Sequence, residues 1–414
     1  MNETDDWKKA DFIIINTCSV RQSAEDRAFG FMHKFEMHRE KNKPNLILAI
    51  TGCMPGRDLK NKLKKKLPMV DLYFKIDEVV NLSKWLHEIN PEIPCIDKPD
   101  YPLDYLNVKP KFKNNYQMFL PIQTGCNRFC TYCVVPYARG LERNRPFSDI
   151  MREAKSFVEK GGKEITLLGQ TVNSYKFPEG ENPKLSKDNP YKESFSALLY
   201  ELNQLQGLER IFYTAPHPDD MSDECIDALA LEKVINFLHI PVQSGSDKIL
   251  KLMKRSYTRK QFIEVIKKVR KRVPNIAIGT DIIVGFCDES EEDFKETVSL
   301  YKEIEFDISY TAKYSTRSWT FAAKNMEDNV AYQEKQRRWR VLQELMEEIT
   351  FKKNQQYKNV VVSVLFDDFE KGIASGWSSE MKRVQVNSTE DLSGKILDTK
   401  ILIPKTWILE GELN

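Results

Sequence analysis

The stretch "YQMFLPIQTGCNRFCTYCVVPYARG", residues 116–140, decides how the rest of the chain is read. Its first part reads as a strand, and the strand runs into a glycine and a cysteine triplet: Cys126, Cys130 and Cys133. No fourth cysteine lies nearby. A structural zinc site closes its shell with four ligands. Three thiolates leave one metal position open, and a CxxxCxxC loop after a strand can wrap three irons of a 4Fe–4S cluster. The fourth iron is then free for a small chelating ligand, with Tyr132 at hand to pack on that ligand's base. The competing reading, a zinc knuckle that borrows a distant ligand, is poor because no matching CxxC pair follows.

Strands and helices alternate on both sides of the triplet. Upstream, "DFIIINTCS" and "NLILAITGC" are apolar runs that read as buried strands, separated by a helical segment with Ser23 as its expected N-cap. Each strand ends in a cysteine, Cys18 or Cys53. Ligands gather at the carboxyl ends of strands in an open parallel sheet, so the two are candidates for one shared site; small buried residues after strands are the alternative. Downstream, apolar runs at 164–173, 210–218, 234–246, 277–286 and 306–315 each follow a helical pattern or another strand. Together with 116–126 they predict six βα repeats and a partial barrel. Gln170, Asn173, His217, Gln243 and Ser244 fall after strands, where such a barrel keeps its active site. Residues 329–355 are charged and helical, and from 359 short strands with turn residues predict a small all-β barrel. The expected class is α/β in three domains: an incomplete parallel α/β domain at 1–100, the partial (βα)6 barrel at 112–345 and the small β-barrel at 352–414. The prolines of 95–116 read as a linker.

Composition narrows the function classes. The chain has 414 residues, of which 41% are hydrophobic and 30% charged, with a net charge of +2. That balance carries no global nucleic-acid signature. The lysine-rich runs at 59–68 and 267–274 read as solvated helix faces. No apolar run reaches membrane-spanning length, and the acidic, polar start "MNETDDWKKADFIII" is unlike a signal peptide. A cytoplasmic address with reduced cysteines is expected. Residues 351–414 hold nine Lys/Arg and nine Asp/Glu, so RNA binding there would depend on local geometry.

CxxxCxΦC after the first strand of a partial βα barrel resembles the radical S-adenosylmethionine (SAM) superfamily. The longer stretch "TGCNRFCTYCVVPYARG…RP" resembles the methylthiotransferases, in particular the MiaB type, which act on isopentenyl-adenosine in tRNA next to the anticodon. Further support comes from "NTCSVRQSAE" (16–25), "TGCM" (51–54), "LLGQTVNSY" (167–175), "LHIPVQSGSDKILKLMKRSYT" (238–258) and "DIIVGFCDESEEDF" (281–294). The C-terminal barrel is similar to the TRAM domain that such enzymes use for RNA. The resemblance implies that SAM chelates the open iron of the Cys126, Cys130 and Cys133 cluster. An electron from the cluster then cleaves SAM, and the 5′-deoxyadenosyl radical takes hydrogen from carbon 2 of adenine, a position too inert for acid–base chemistry. It also implies an auxiliary 4Fe–4S cluster, with Cys18 and Cys53 matching two of its three ligands. Tyr132, Gln170, Asn173, Gln243 and Ser244 become candidates for SAM, and Arg139, Arg145, Trp377 and Arg383 for tRNA. The implied partners are tRNA and a flavodoxin- or ferredoxin-type reductase, the protein being a monomer. The sister type that modifies threonylcarbamoyl-adenosine, or a tRNA-binding remnant without sulfur insertion, are the alternatives. A third sister, which modifies an aspartate of a ribosomal protein, is disfavoured by "CVVPYARG" together with "IPVQSGSD".

The sequence departs from the family in three places. The third auxiliary cysteine of the family lies upstream of "NTC", and this chain has none there. A truncated or misassigned start is expected; Cys95 serving as a stand-in ligand, or loss of sulfur insertion, would also account for the gap. Cys287-Asp288 replaces a Pro-Gly pair, and Cys287 is expected to be a bystander. "RSWTFA" (317–322) replaces "RPGTPA", so Trp319 stands where the family has glycine. Cys225 is expected in the core.

Overall fold

The computed structural model describes residues 2–20, 22–95, 105–107 and 114–414. The apolar run at Phe12 forms strand β1 (Phe12–Thr17), followed by helix α1 (Gln22–Asn42), β2 (Ile47–Gly52), α2 (Cys53–Arg57), β3 (Leu72–Tyr73) and α3 (Leu82–Ile89). The strands lie in the order β1-β2-β3, all parallel. The middle strand, β2, is buried along its whole length, as expected for a parallel strand covered on both faces. Met32 and Phe35 of α1 pack with Leu48, Ile50 and Met54 in this core. Because α1 already includes Gln22, Ser23 sits inside the first turn and is not the cap.

The chain continues through β4 (Gln117–Pro121), β5 (Gln123–Thr124), α4 (Val135–Arg139), β6 (Arg143–Asn144), α5 (Phe147–Val158), β7 (Glu164–Leu168), α6 (Ser194–Asn203), β8 (Arg210–Tyr213), α7 (Asp223–Ala228), β9 (Phe237–His239), α8 (Asp247–Leu252), α9 (Arg259–Arg272), β10 (Ala277–Val284), α10 (Glu291–Ile304), β11 (Ile308–Lys313), α11 (Phe321–Asn325) and α12 (Tyr332–Asn354). Two parallel three-stranded sheets, β4-β7-β8 and β9-β10-β11, are joined by a parallel bridge between Ile211 and Val234. These are the six strands of the expected partial barrel. Their inward residues share one core with the helices around them, and Leu342, Met346 and Ile349 of α12 belong to it.

Five further strands, β12 (Val361–Glu370), β13 (Ile373–Ser378), β14 (Arg383–Asn387), β15 (Ile396–Pro404) and β16 (Leu409–Leu413), close in the order β12-β13-β14-β16-β15. Irregularities at Phe366/Asp368 and Ile401/Ile403 supply the local bends that closure needs. The small barrel is tied to the larger one by Arg210, which donates to the carbonyl oxygens of Trp377 (2.7 Å) and Ser378 (3.1 Å).

The chain divides into two compact units. One holds residues 1–111, 124–143 and 315–326; the other holds 112–123, 144–314 and 327–414. The cysteine triplet therefore belongs with the N-terminal α/β part. Most of the expected linker at 95–116 lies outside the described residues. Among the described residues no helix is long and apolar enough to cross a membrane.

Candidate metal centre

The triplet sits on a loop pinned at both ends. Gly125 has φ +76°, and a Cβ there would stand 2.0 Å from the Leu141 carbonyl oxygen, so only glycine passes. The Cys126 amide donates to the Gly140 carbonyl (3.2 Å), the Cys133 amide to the Cys130 carbonyl (2.9 Å), and the Glu142 amide to Asn127 Oδ1 (3.1 Å). Cys126 and Cys130 are buried, Cys133 and Tyr132 half-buried, and no cysteine is in a disulfide. Burial pushes the Cys126 thiol up; the Arg128 amide, donating to its sulfur, works against this, and Cys130 adds to it. Metal binding deprotonates such thiols outright. Among the described residues no three of His, Cys, Asp and Glu gather closely enough to share a single ion. A 4Fe–4S cluster does not ask that of its ligands, since each thiolate holds a different iron. Three thiols on one short loop, none of them in a disulfide, fit that donor set.

The cysteine pair is built by strand register. Thr17 pairs with Gly52, so Cys18 and Cys53 each directly follow the last paired residue of neighbouring parallel strands. The Thr17 hydroxyl donates to the Thr51 carbonyl (2.6 Å) and accepts from the Met54 amide (3.1 Å), which fixes the two strand ends together. Gly52 has φ +93° and leaves no room for a Cβ, which would meet Asn16 Oδ1 at 2.4 Å. Cys53 is buried; Cys18 is exposed and its sulfur accepts from the Val20 amide (3.4 Å). Helix α4, which closes the triplet loop, packs on α2: a Cβ on Gly56 would stand 2.1 Å from the Ala138 carbonyl oxygen. Cys95 is exposed.

Arg139 and Arg145, expected to face phosphate, both have partners within the fold. Arg139 stands beside Cys53 and Tyr105. Burial pulls its pKa down, but these two partners outweigh it and raise it. Tyr105 in turn donates to the Thr124 hydroxyl (2.5 Å). Arg145 is buried, paired with Glu153, and donates to the Pro121 carbonyl (3.2 Å). Both stand beside the cysteine loop in sequence; Arg139 is half-buried and Arg145 buried.

At the barrel strand ends, Gln170 is half-buried and Gln243 is buried with φ 70°; the Gln243 amide donates to the Asp281 carbonyl (2.8 Å). Asn173 and Ser244, the other SAM candidates there, both hydrogen-bond within the protein. Asn173 donates to the His217 carbonyl (3.0 Å) and accepts from the His217 amide (2.7 Å). The fully buried Ser244 hydroxyl lies 3.3 Å from that of Thr297 and accepts from the Ser246 amide (3.2 Å). His217 is a turn histidine, its Nδ1 accepting from the Asp219 amide (3.3 Å). Cys225 is a core residue whose thiol burial drives up to about 12. Cys287 is buried too, and burial raises its thiol pKa against a hydrogen bond with Tyr314. In the small barrel, Trp377 and Arg383 face each other across β13 and β14. The guanidinium lies 5.3 Å from the indole centroid and is paired with Asp367.

Residues 120–301 match the radical SAM superfamily, and residues 1–75 match the family described as uncharacterized protein family UPF0004. A relative from Clostridium botulinum is 40% identical over 99% of this chain and 90% of its own length. One from Thermoanaerobacter sp. is 40% identical over 99% of this chain and 86% of its own. Both are named tRNA-2-methylthio-N(6)-dimethylallyladenosine synthase. The chain belongs to this family. It is a radical SAM enzyme, with a 4Fe–4S cluster and SAM as its cofactors. A radical SAM methyltransferase from Kitasatospora setae, solved with cobalamin and a 4Fe–4S cluster, shares the fold with a TM-score of 0.54 at 12% identity, over 90% of this chain and 72% of its own.

Family motifs led to the cysteines but not to their surroundings. Three residues near the pair were missed: Arg57, Glu25 and Arg317. Arg57 and Glu25 form a buried ion pair with contacts of 2.7–2.9 Å. Arg317 opens the segment in which only Trp319 stood out. Trp319 takes φ 78°, a glycine-like conformation, with the ammonium groups of Lys60 and Lys324 each 5.6 Å from its ring.

Proposed function

We propose that the chain adds a methylthio group to carbon 2 of isopentenyl-adenosine in tRNA, at position 37 beside the anticodon. In this reading Cys126, Cys130 and Cys133 hold the cluster that binds SAM, and Cys18 and Cys53 hold two irons of an auxiliary cluster. One observation carries it: the Thr17–Gly52 register brings Cys18 and Cys53 to adjacent strand ends, in the same compact unit as the triplet. When bound, the SAM-loaded cluster supplies a carbon-centred radical able to take the inert adenine hydrogen. The chain's own residues do the positioning. The glycine-pinned loop presents the three thiols, Tyr132 packs on the SAM base, and Gln170 and Gln243 bind its polar parts. Trp377 and Arg383 contact tRNA from the small barrel.

The domains are 1–100 for the auxiliary cluster, 112–345 for the radical core and 352–414 for RNA. The protein works as a cytoplasmic monomer with a flavodoxin- or ferredoxin-type reductase. Anaerobic reconstitution followed by an iron count and mass spectrometry of treated tRNA tests this. About eight irons and 2-methylthio-isopentenyl-adenosine are expected. About four irons, with SAM cleavage but no sulfur in the product, would remove the auxiliary site; a methylthiolated threonylcarbamoyl product would reassign the substrate.

A further inference from the structure

Buried charge is distributed unevenly in this protein. Among the described arginines and lysines, six that are buried each contact a carboxylate: Arg57 with Glu25, Arg145 with Glu153, Arg210 with Glu164, Lys335 with Asp328, Arg338 with Glu289 and Lys382 with Asp307. Arg317 is equally buried, at 5% exposure, and contacts none. Its Nη1 donates to Gln22 Oε1 (2.8 Å), its Nη2 to the Val20 carbonyl (3.1 Å), and its Nε to nothing. Arg145 and Arg210 also leave Nε without a hydrogen bond, but each has a carboxylate to neutralise it. The partners of Arg317 are neutral, so its charge stays uncompensated in a site shielded from water, an expensive arrangement unless an anion joins it.

The neighbourhood tells which anion. Glu25 is taken up by Arg57, which makes three hydrogen bonds to it. Asp26 is exposed and reaches Arg317 only through Gln22, whose amide donates to it (2.8 Å). Val20, whose carbonyl Arg317 holds, is also the residue whose amide donates to the Cys18 sulfur (3.4 Å). Arg317 thus grips the turn that begins at Cys18, while Arg139 stands beside Cys53. Each cysteine of the pair has its own guanidinium.

We propose that Arg317 is the counter-charge of an iron–sulfur cluster held by Cys18 and Cys53. This rests on the auxiliary-cluster reading given above. Reduction adds one negative charge to a cluster; a fixed positive charge beside it stabilises the reduced form and raises the potential. Arg317 is a positioning residue: it acts on the thiolate-bound cluster and touches no substrate.

The experiment uses the full chain with Cys126, Cys130 and Cys133 replaced by alanine, so that iron can be held only at the pair. Iron per chain and the reduction potential, from a titration followed by electron paramagnetic resonance, are measured for this parent and for R317Q, R317K and Q22E. The last variant leaves Arg317 intact but gives it a carboxylate. The parent is expected to bind about four irons. In R317Q and Q22E the reduced-to-oxidised ratio at a fixed potential should fall about tenfold, which is about 59 mV for a one-electron couple; R317K should stay near the parent. If R317Q does not fold, Q22E decides. Folded variants that hold iron at an unmoved potential overturn the role of Arg317 alone. A folded parent without iron overturns the auxiliary cluster, and this inference with it.

Discussion

Cys126, Cys130 and Cys133 lie on one loop, whereas helix α1 and strand β2 separate Cys18 from Cys53. The triplet depends on local turns: Gly125 against Leu141, and the Cys126 and Cys133 amides on nearby carbonyls. The pair depends on a parallel register and on one threonine hydroxyl bridging two strand ends. A loop site tolerates change elsewhere in the fold, while a register site inherits every disturbance of its sheet. The two should therefore fail separately, and for different reasons.

The largest expected effect comes from the triplet. Cys130→Ala should reduce SAM cleavage by at least about 10³-fold, since the radical chemistry has no other source, and lower the iron content by about four. Cys18→Ala should keep SAM cleavage within about threefold while abolishing sulfur insertion, because the loop chemistry stays intact. Measuring 5′-deoxyadenosine and modified nucleoside in the same reaction separates the two. Equal loss of SAM cleavage in both variants would show the sites to be one functional unit. A smaller effect tests the register itself. Gly52→Ala forces a Cβ to within 2.7 Å of Asn16 and Thr17 atoms at a positive φ. It should cost about 1–3 kcal/mol in urea unfolding and release iron from the pair alone. Full iron retention in Gly52→Ala would show that the strand ends do not hold the pair.

The same contrast explains what could be read before the fold was known. CxxxCxxC is a local pattern, so its spacing was legible, and the apolar runs gave β1, β2 and the six barrel strands because strand burial is written in consecutive side chains. Side-chain direction was not legible where tertiary packing sets it. Arg139 and Arg145 follow the cluster loop, but that Cys53 stands beside one and Glu153 pairs with the other could not be read from their place in the sequence. Ser244 and Asn173 follow strands as barrel-site residues do, yet their polar atoms are taken by Thr297, Ser246 and the His217 backbone. Arg317 carried no signal at all. Its meaning comes from the absence of a carboxylate in contact with it among the described residues, which no single-sequence pattern encodes.

The loop after β9 is a third case, built at long range like the pair but without a metal, and it sets the smallest effect. Asp293 at the start of α10 accepts from Lys248 (2.7 Å), from the Ser290 amide (2.9 Å) and from the Ser246 hydroxyl (2.7 Å), the last joining α10 to the segment that carries Gln243. Burial favours the neutral acid, but these donors outweigh it and bring the pKa down from 3.8 to about 2. A carboxyl with a lower pKa in the folded state stabilises the fold above its unfolded value, and that stability is lost as pH falls through the folded one. The contribution of Asp293 should therefore be complete above about pH 4 and fade towards about pH 2. Lys248 is half-exposed, so water screens its share, and the shared backbone and hydroxyl bonds matter more. Asp293→Asn should cost about 1 kcal/mol at neutral pH and flatten the acid limb of a melting-temperature profile, with the pair's iron unaffected. An acid limb unchanged by the substitution would mean that the loop is held by its backbone, and that long-range side-chain bonds matter only where a metal is bound.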